Sequence, residues 1–273
     1  MALEIRESFT TLEEWNAWAD AVKPLRSTQY LQEIARSIRS SGFLDPASGV
    51  VPALEVVAAD RNYREGLLAR GCTSRYRALQ SLVLDYVLVN GWCSPIYLAE
   101  QATPFGEAMR NRFPFIITSE YMPNPVIRMR MSHIRHEDPL NLSLPDHSFD
   151  LYVSSDSMVY VPSLEGVLRE ARRVLRRGGQ FLATFPFRYG EPDTEVLAEQ
   201  VKGEVVHHLP PTFHVDPLSG SRSRLLFFIP GWDILDIARA AGFRSAEIVA
   251  QSSRVHAIIG SEIATVFVLK ATA

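Results

Sequence analysis

The sequence predicts an α/β protein built on a doubly wound, mostly parallel sheet. Three observations carry this reading. From Ser94 onward short apolar runs alternate with helical segments, the pattern of βαβ units. The clearest helix starts at Ser163 and its apolar stripe ends just before Gly178-Gly179, which leads into another apolar run. Two strand-like runs, Ala246 to Ala250 and Thr265 to Leu269, then close the order and read as an antiparallel pair at the sheet edge.

The elements follow in order along the chain. Leu12, Trp15, Trp18, Ala19 and Val22 recur at helical spacing before Pro24, and Tyr30, Leu31, Ile34, Ala35 and Ile38 repeat the pattern before Gly42. An irregular stretch at 45–49, a short strand over Ala53 to Val57 and a long helix from Arg75 to Val89 complete a mostly helical N-terminal cap, residues 1–90. The main domain, 91–273, opens with strands at Ile96 to Ala99, Phe115 to Ile117, Phe149 to Val153 and Gln180 to Thr184. An insertion at about 188–229, rich in proline and histidine, precedes a helix from Gly231 to Ala241. No internal repeat interrupts this order.

With 273 residues, 47% of them apolar, the chain can bury a core without staples. A net charge of -3, from 28 basic and 31 acidic residues, lacks the clustered positive charge of a nucleic-acid binder. The start has no basic and apolar signal pattern, and no apolar run approaches the roughly 18 residues that span a membrane, so a cytoplasmic protein with no membrane partner is expected. Cys72 and Cys93 form neither a ligand pair nor a disulfide framework, and no metal is expected from them.

Chemistry gathers at the strand ends. Glu100 follows the first predicted strand and Glu120 the second, a spacing at which an acidic side chain reaches a ribose hydroxyl in nucleotide-binding α/β folds. The turn between them, Glu100-Gln-Ala-Thr-Pro-Phe-Gly106, holds one glycine where a pyrophosphate cradle needs three. A nucleoside cofactor without phosphates suits this edge. Thr103 and Pro104 form a helix cap and first-turn pair beside it.

Residues from about 95 to 187 resemble a class I S-adenosylmethionine-dependent methyltransferase of the type 11 group. Three strings carry the resemblance: 136–150, like an acidic third motif running into a fourth strand; Ser154 to Pro162, like the loop after it; and Arg169 to Gly179, like the helix and glycine turn before strand five. It implies a Rossmann-like, seven-stranded sheet and S-adenosylmethionine as cofactor. Carried over by position, Glu100 with Gln101, Ala102 and Gly106 meets the methionine end, and Glu120, followed by Tyr121, accepts the ribose hydroxyls. Glu137, Asp138 and Pro139 face the adenine, Ser155 and Asp156 lie beneath the sulfonium, and Tyr160 is a wall rather than a base. The strings 62–65 and 74–78 resemble an upstream segment of some relatives, in which Arg75 is either a donor to the cofactor carboxylate or a packing arginine.

The expected acceptor is a small molecule, a hydroxyl of a sugar or secondary metabolite first, a nitrogen or ring carbon next. Methyl transfer to a hydroxyl calls for positioning and a base near neutrality, so His214 oriented by Asp216, with His208 nearby, is the catalytic candidate. A metal held by these histidines and polar residues that only shape a pocket are the competing readings of the segment. Aromatic residues around 185–189 and 213–232, with Trp15, Trp18 and Tyr30, suggest a pocket for a flat organic acceptor. A nicotinamide-dependent oxidoreductase and a catalytically degenerate binding subunit are the rival functions, and a homodimer stays open.

Overall fold

The computed structural model describes residues 4–22, 26–215 and 220–273. Seven strands form a central mixed sheet: β1 (Glu4–Phe9), β2 (Ile96–Leu98), β3 (Ile116–Thr118), β4 (Phe149–Ser155), β5 (Leu175–Thr184), β6 (Ser245–Ser253) and β7 (Val266–Thr272). Their order is β1-β6-β7-β5-β4-β2-β3. Strands β3, β2, β4 and β5 run parallel. Strand β7 pairs antiparallel with β5, β6 with β7, and β1 with β6.

Alternation along the strands feeds two cores. In β2, Ile96 and Leu98 join one apolar cluster and Tyr97 the other; in β4, Leu151 and Val153 oppose Tyr152; in β5, Leu182 opposes Phe181 and Ala183. The first face is covered by α3 (Ser74–Asn90) and α4 (Pro104–Arg112), through residues such as Leu79, Val83, Phe105 and Met109. The second is covered by α5 (Leu164–Val174), whose Val167, Leu168, Ala171 and Val174 are buried, and by α6 (Ile234–Ala240). Helices α1 (Leu12–Ala21) and α2 (Thr28–Ser41) extend that second core.

Several expectations need correction. Residues 1–90 do not form a separate helical cap: β1 completes the sheet beside β6, and α3 packs on β4, β5 and β7. Between them lie α1, α2 and two small antiparallel pairs, Phe43–Asp45 with Gly49–Val51 and Val57–Ala58 with Leu67–Leu68. Residues Ala53–Glu55 make a 3-10 turn, not a strand. The antiparallel C-terminal pair is present, but β1 rather than β6 is the sheet edge. Helix α5 stops at Val174, and Gly178 uses its positive φ of 82° inside β5, where its N–H donates to the Ala273 carbonyl.

The register sets the site. Leu98 stands level with Thr118 on one side and Val153 on the other. The residues just beyond those ends, Glu100, Glu120, Ser155 and Asp156, therefore emerge along one sheet edge.

Candidate active site

Two adjoining cavities open at this edge, of about 880 Å³ and about 600 Å³. They share Ala99, Glu120, Ser157, Tyr160 and Arg224. At their junction Glu120 is buried, and its Oε1 accepts the backbone N–H groups of Gln101 and Ala102, both at 2.8 Å. A carboxylate thus organises the turn after β2, where related folds use glycines. Gly106 serves a different purpose: a Cβ there would stand 2.8 Å from the Gln101 carbonyl oxygen, so its absence lets α4 pack under the turn. Thr103 caps that helix through the Gly106 N–H.

Glu100 lines the larger cavity and is 7% exposed. The Tyr76 hydroxyl donates to its Oε1 at 2.9 Å, while its buried Oε2 has no hydrogen-bond partner among the described residues. Burial raises its pKa, against the pull of the Arg75 charge and of hydrogen bonds from Thr103 and Tyr76. A cation entering here would stabilise the ionised form.

Beyond Glu100 lies a network of two arginines and two carboxylates. Arg64, from the helical turn Tyr63–Gly66, holds Asp156 bidentately at 2.8 and 3.0 Å. Arg75, near the start of α3, donates to Glu65 at 2.9 Å and to Ser155 Oγ, and stands 3.4 Å from Asp156. Burial opposes ionisation of Asp156, yet the two guanidiniums outweigh it and hold its carboxyl well below the usual range. Asp156 also has a left-handed φ of 51°, a conformation uncommon outside glycine and kept by these contacts. The four charges cancel, so the protonation of Glu100 sets the net charge of this end of the cavity.

The smaller cavity is lined by Tyr121, Glu137, Asp138 and Pro139. Burial alone would raise the Glu137 pKa, but the Ser143 hydroxyl and N–H and the Arg135 guanidinium donate to it and lower it. Asp138 accepts the Leu140 N–H through Oδ1 at 2.9 Å, and its other oxygen has no partner among the described residues. The insertion reaches over both cavities through the hairpin of Phe213–Val215 and Arg222–Leu225, in which His214 and Arg224 face one another in register. His214 Nδ1 is 2.8 Å from the Tyr160 hydroxyl, and Arg224 lies 3.5 Å from Glu120 Oε2 and 5.9 Å from the Tyr160 ring centre.

The fold thus brings Arg75, Glu100, Glu120, Ser155, Asp156, Tyr160 and His214 to one cavity, and Tyr121, Glu137, Asp138 and Pro139 to its neighbour. His208 does not join them: it follows the exposed hairpin Ala198–Val201/Glu204–His207, 3.4 Å from Glu199, and lines neither cavity. Asp216 lies outside the described residues. Trp15 is fully buried against Phe9 and Phe267, a core residue rather than a pocket wall. Sequence reasoning missed Tyr76, Arg224 and Phe267 as cavity residues. Arg64 and Glu65 sat in the upstream string, the available signal, but had no role assigned. Among the described residues no three His, Cys, Asp or Glu side chains are grouped to hold a metal, and no helix is long and apolar enough to cross a membrane.

Residues 115–183, which carry Glu120, Asp138 and Asp156, match the methyltransferase domain family. The chain is 42% identical over 62 residues to the ubiquinone/menaquinone biosynthesis C-methyltransferase of Caulobacter sp. (strain K31), covering 23% of each chain. It is 54% identical over 43 residues to the sarcosine/dimethylglycine N-methyltransferase of Halorhodospira halochloris, covering 16% of this chain and 15% of the relative. These matches span less than a quarter of the relatives' lengths. A solved S-adenosylmethionine-dependent methyltransferase from Mesorhizobium loti aligns over 74% of this chain and 98% of its own, at 15% identity and a TM-score of 0.45.

Proposed function

We propose that the protein transfers a methyl group from S-adenosylmethionine to a small-molecule acceptor. The observation that carries the reading is the pair of buried strand-end carboxylates, Glu100 with an unpartnered oxygen and Glu120 at the junction of the two cavities. The donor set fits the group: Glu100 would take its ammonium, Glu120 its ribose hydroxyls and Asp138 its adenine amino group. When bound, S-adenosylmethionine supplies an activated methyl on a positively charged sulfur.

This chain's residues do the rest. The Arg64, Glu65, Arg75 and Asp156 network fixes the floor in one geometry, and Arg75 is the donor available to a carboxylate. His214, held by the Tyr160 hydroxyl, takes the acceptor proton, and Phe187, Tyr189 and Phe267 wall an apolar acceptor end. A volume of about 880 Å³ lies in the range of about 300 to 1,000 Å³ usual for drug-sized ligands. The insertion at about 188–229 covers cofactor and acceptor. A hydroxyl of a sugar or secondary metabolite is the leading acceptor, with nitrogen or carbon next, and the setting is cytoplasmic.

Titration calorimetry with S-adenosylmethionine and its demethylated product, beside NAD, tests the reading. Micromolar binding of the first two alone is expected, with Glu120→Ala weakening it by about 1.5 to 3 kcal/mol, the range for hydrogen bonds to charged groups. Binding of NAD alone would make the protein an oxidoreductase, and binding of none a non-catalytic subunit.

A further inference from the structure

We propose that a second site, separate from the cofactor cleft, binds a small molecule through its phosphate or diphosphate group. A concavity of about 330 Å³ lies between α2 and residues 58–63. Ala35 and Tyr63 line it as buried residues, and Arg36, Arg39 and Arg61 line it as exposed ones. Arg36 and Arg39 are three positions apart on α2 and so share a helix face.

The three arginines differ from most others in the chain. Arg6 pairs with Asp85, Arg70 with Glu55 and Arg173 with Glu170 and Asp146. Arg36, Arg39 and Arg61 have no ion pair or hydrogen bond among the described residues. One carboxylate, Asp60, lines the concavity, and its Oδ1 already accepts the Asn62 N–H at 2.8 Å. Three guanidiniums against one carboxylate leave a local positive surface on a chain whose net charge is -3. Gathering like charges is unfavourable unless an anion offsets them, and guanidinium forks match phosphate oxygens in pairs.

Size selects the ligand class. At about 330 Å³ this hollow is at the lower end of small-ligand sites, which begin at about 300 Å³. Tyr63 and the two alanines, Ala35 and Ala58, offer apolar contact to the carbon skeleton that carries the phosphate. The site is distinct from the cofactor cleft because residues alternate between them: Arg61 and Tyr63 line the hollow, Asn62 and Arg64 the cleft. S-adenosylmethionine has no phosphate, so the inference does not depend on the proposed function.

Inorganic pyrophosphate is the probe, titrated calorimetrically at low ionic strength into the whole protein. The wild type is expected to bind it at submillimolar concentration, and Arg36→Gln/Arg39→Gln/Arg61→Gln to weaken binding at least tenfold. The exposed arginines 130, 177 and 244 give a control of equal charge change: Arg130→Gln/Arg177→Gln/Arg244→Gln should change affinity less than twofold. S-adenosylmethionine should not displace the probe. Absence of wild-type binding, equal losses in both triple variants, or displacement by S-adenosylmethionine would each overturn the site. Cosedimentation with phosphatidylglycerol vesicles separates the sources: retention of vesicles without pyrophosphate binding would mean a membrane surface and would sink the small-molecule proposal.

Discussion

Arg75 and Arg77 lie two residues apart on α3, both buried, and they face opposite environments. Arg75 meets carboxylates and lines the cavity. Arg77 is fully buried and, among the described residues, donates only to carbonyls, those of Leu67, Cys72 and Ala257 at 2.8 to 3.0 Å, while stacking on Phe43. Burial pushes the Arg77 pKa down to about 10, which leaves it charged at neutral pH. The comparison teaches that a buried guanidinium marks a functional site only when its partners are themselves charged and cavity-facing. Arg77 is a clamp tying α3 to the β6–β7 connection.

The largest effect should come from the clamp. Arg77→Leu orphans three carbonyls and is expected to lower the unfolding free energy by about 3 to 5 kcal/mol, read by chemical denaturation. Its cofactor affinity, measured on the folded fraction, should stay within about twofold. Loss of affinity at unchanged stability would erase the distinction between the two arginines. Arg75→Leu should show the reverse balance: S-adenosylmethionine binding at least about tenfold weaker, or about 1.4 kcal/mol, with a smaller loss of stability because Arg64 still holds Asp156.

Acid sharpens the contrast further. The folded-state carboxyls of Asp156 and Glu137 lie below their ordinary values of 3.8 and 4.5. Their stabilisation is complete above those values and is lost as pH falls through the depressed folded ones. Thermal melts between pH 5 and pH 2 should therefore flatten in Asp156→Asn, whereas Arg77→Leu should shift the whole curve and keep its acid slope. The smallest effect is expected at the hairpin: Tyr160→Phe removes the hydroxyl from His214, costing about 0.5 to 1.5 kcal/mol of local order, visible as faster amide exchange over 213–215.

What was legible in the sequence follows from these environments. Strands β2, β4 and β5 are buried on both faces, so they read as apolar runs, and the carboxylates beyond them could be placed from order alone. Strand β1 was missed because Glu4-Ile-Arg-Glu-Ser-Phe9 is mostly exposed and charged, as an edge strand can afford to be. The carboxylate partners of Arg64 and Arg75 are half visible, since Glu65 and Asp156 lie in motif strings but nothing in the sequence joins segments so far apart. The register that sets His214 opposite Arg224 lies between two short segments of a long insertion, where no periodicity fixes pairing. Arg77 gave no sign at all, because carbonyl partners leave no trace in side-chain pattern.

Strand β1 also bears on how the protein comes together. It pairs with a strand whose residues lie up to 249 positions away, the separation of Glu4 from Ser253, which are also joined by a side-chain hydrogen bond. During synthesis at about 5 to 20 residues per second, β1 waits on the order of ten to fifty seconds for β6 to exist. Until then Phe9 has no β6 to pair with, and the α1 tryptophans that pack on it must find shelter elsewhere. The outer edge of the sheet is thus sealed only after the C-terminal hairpin has formed, and cotranslational holding of this segment becomes part of the protein's folding problem.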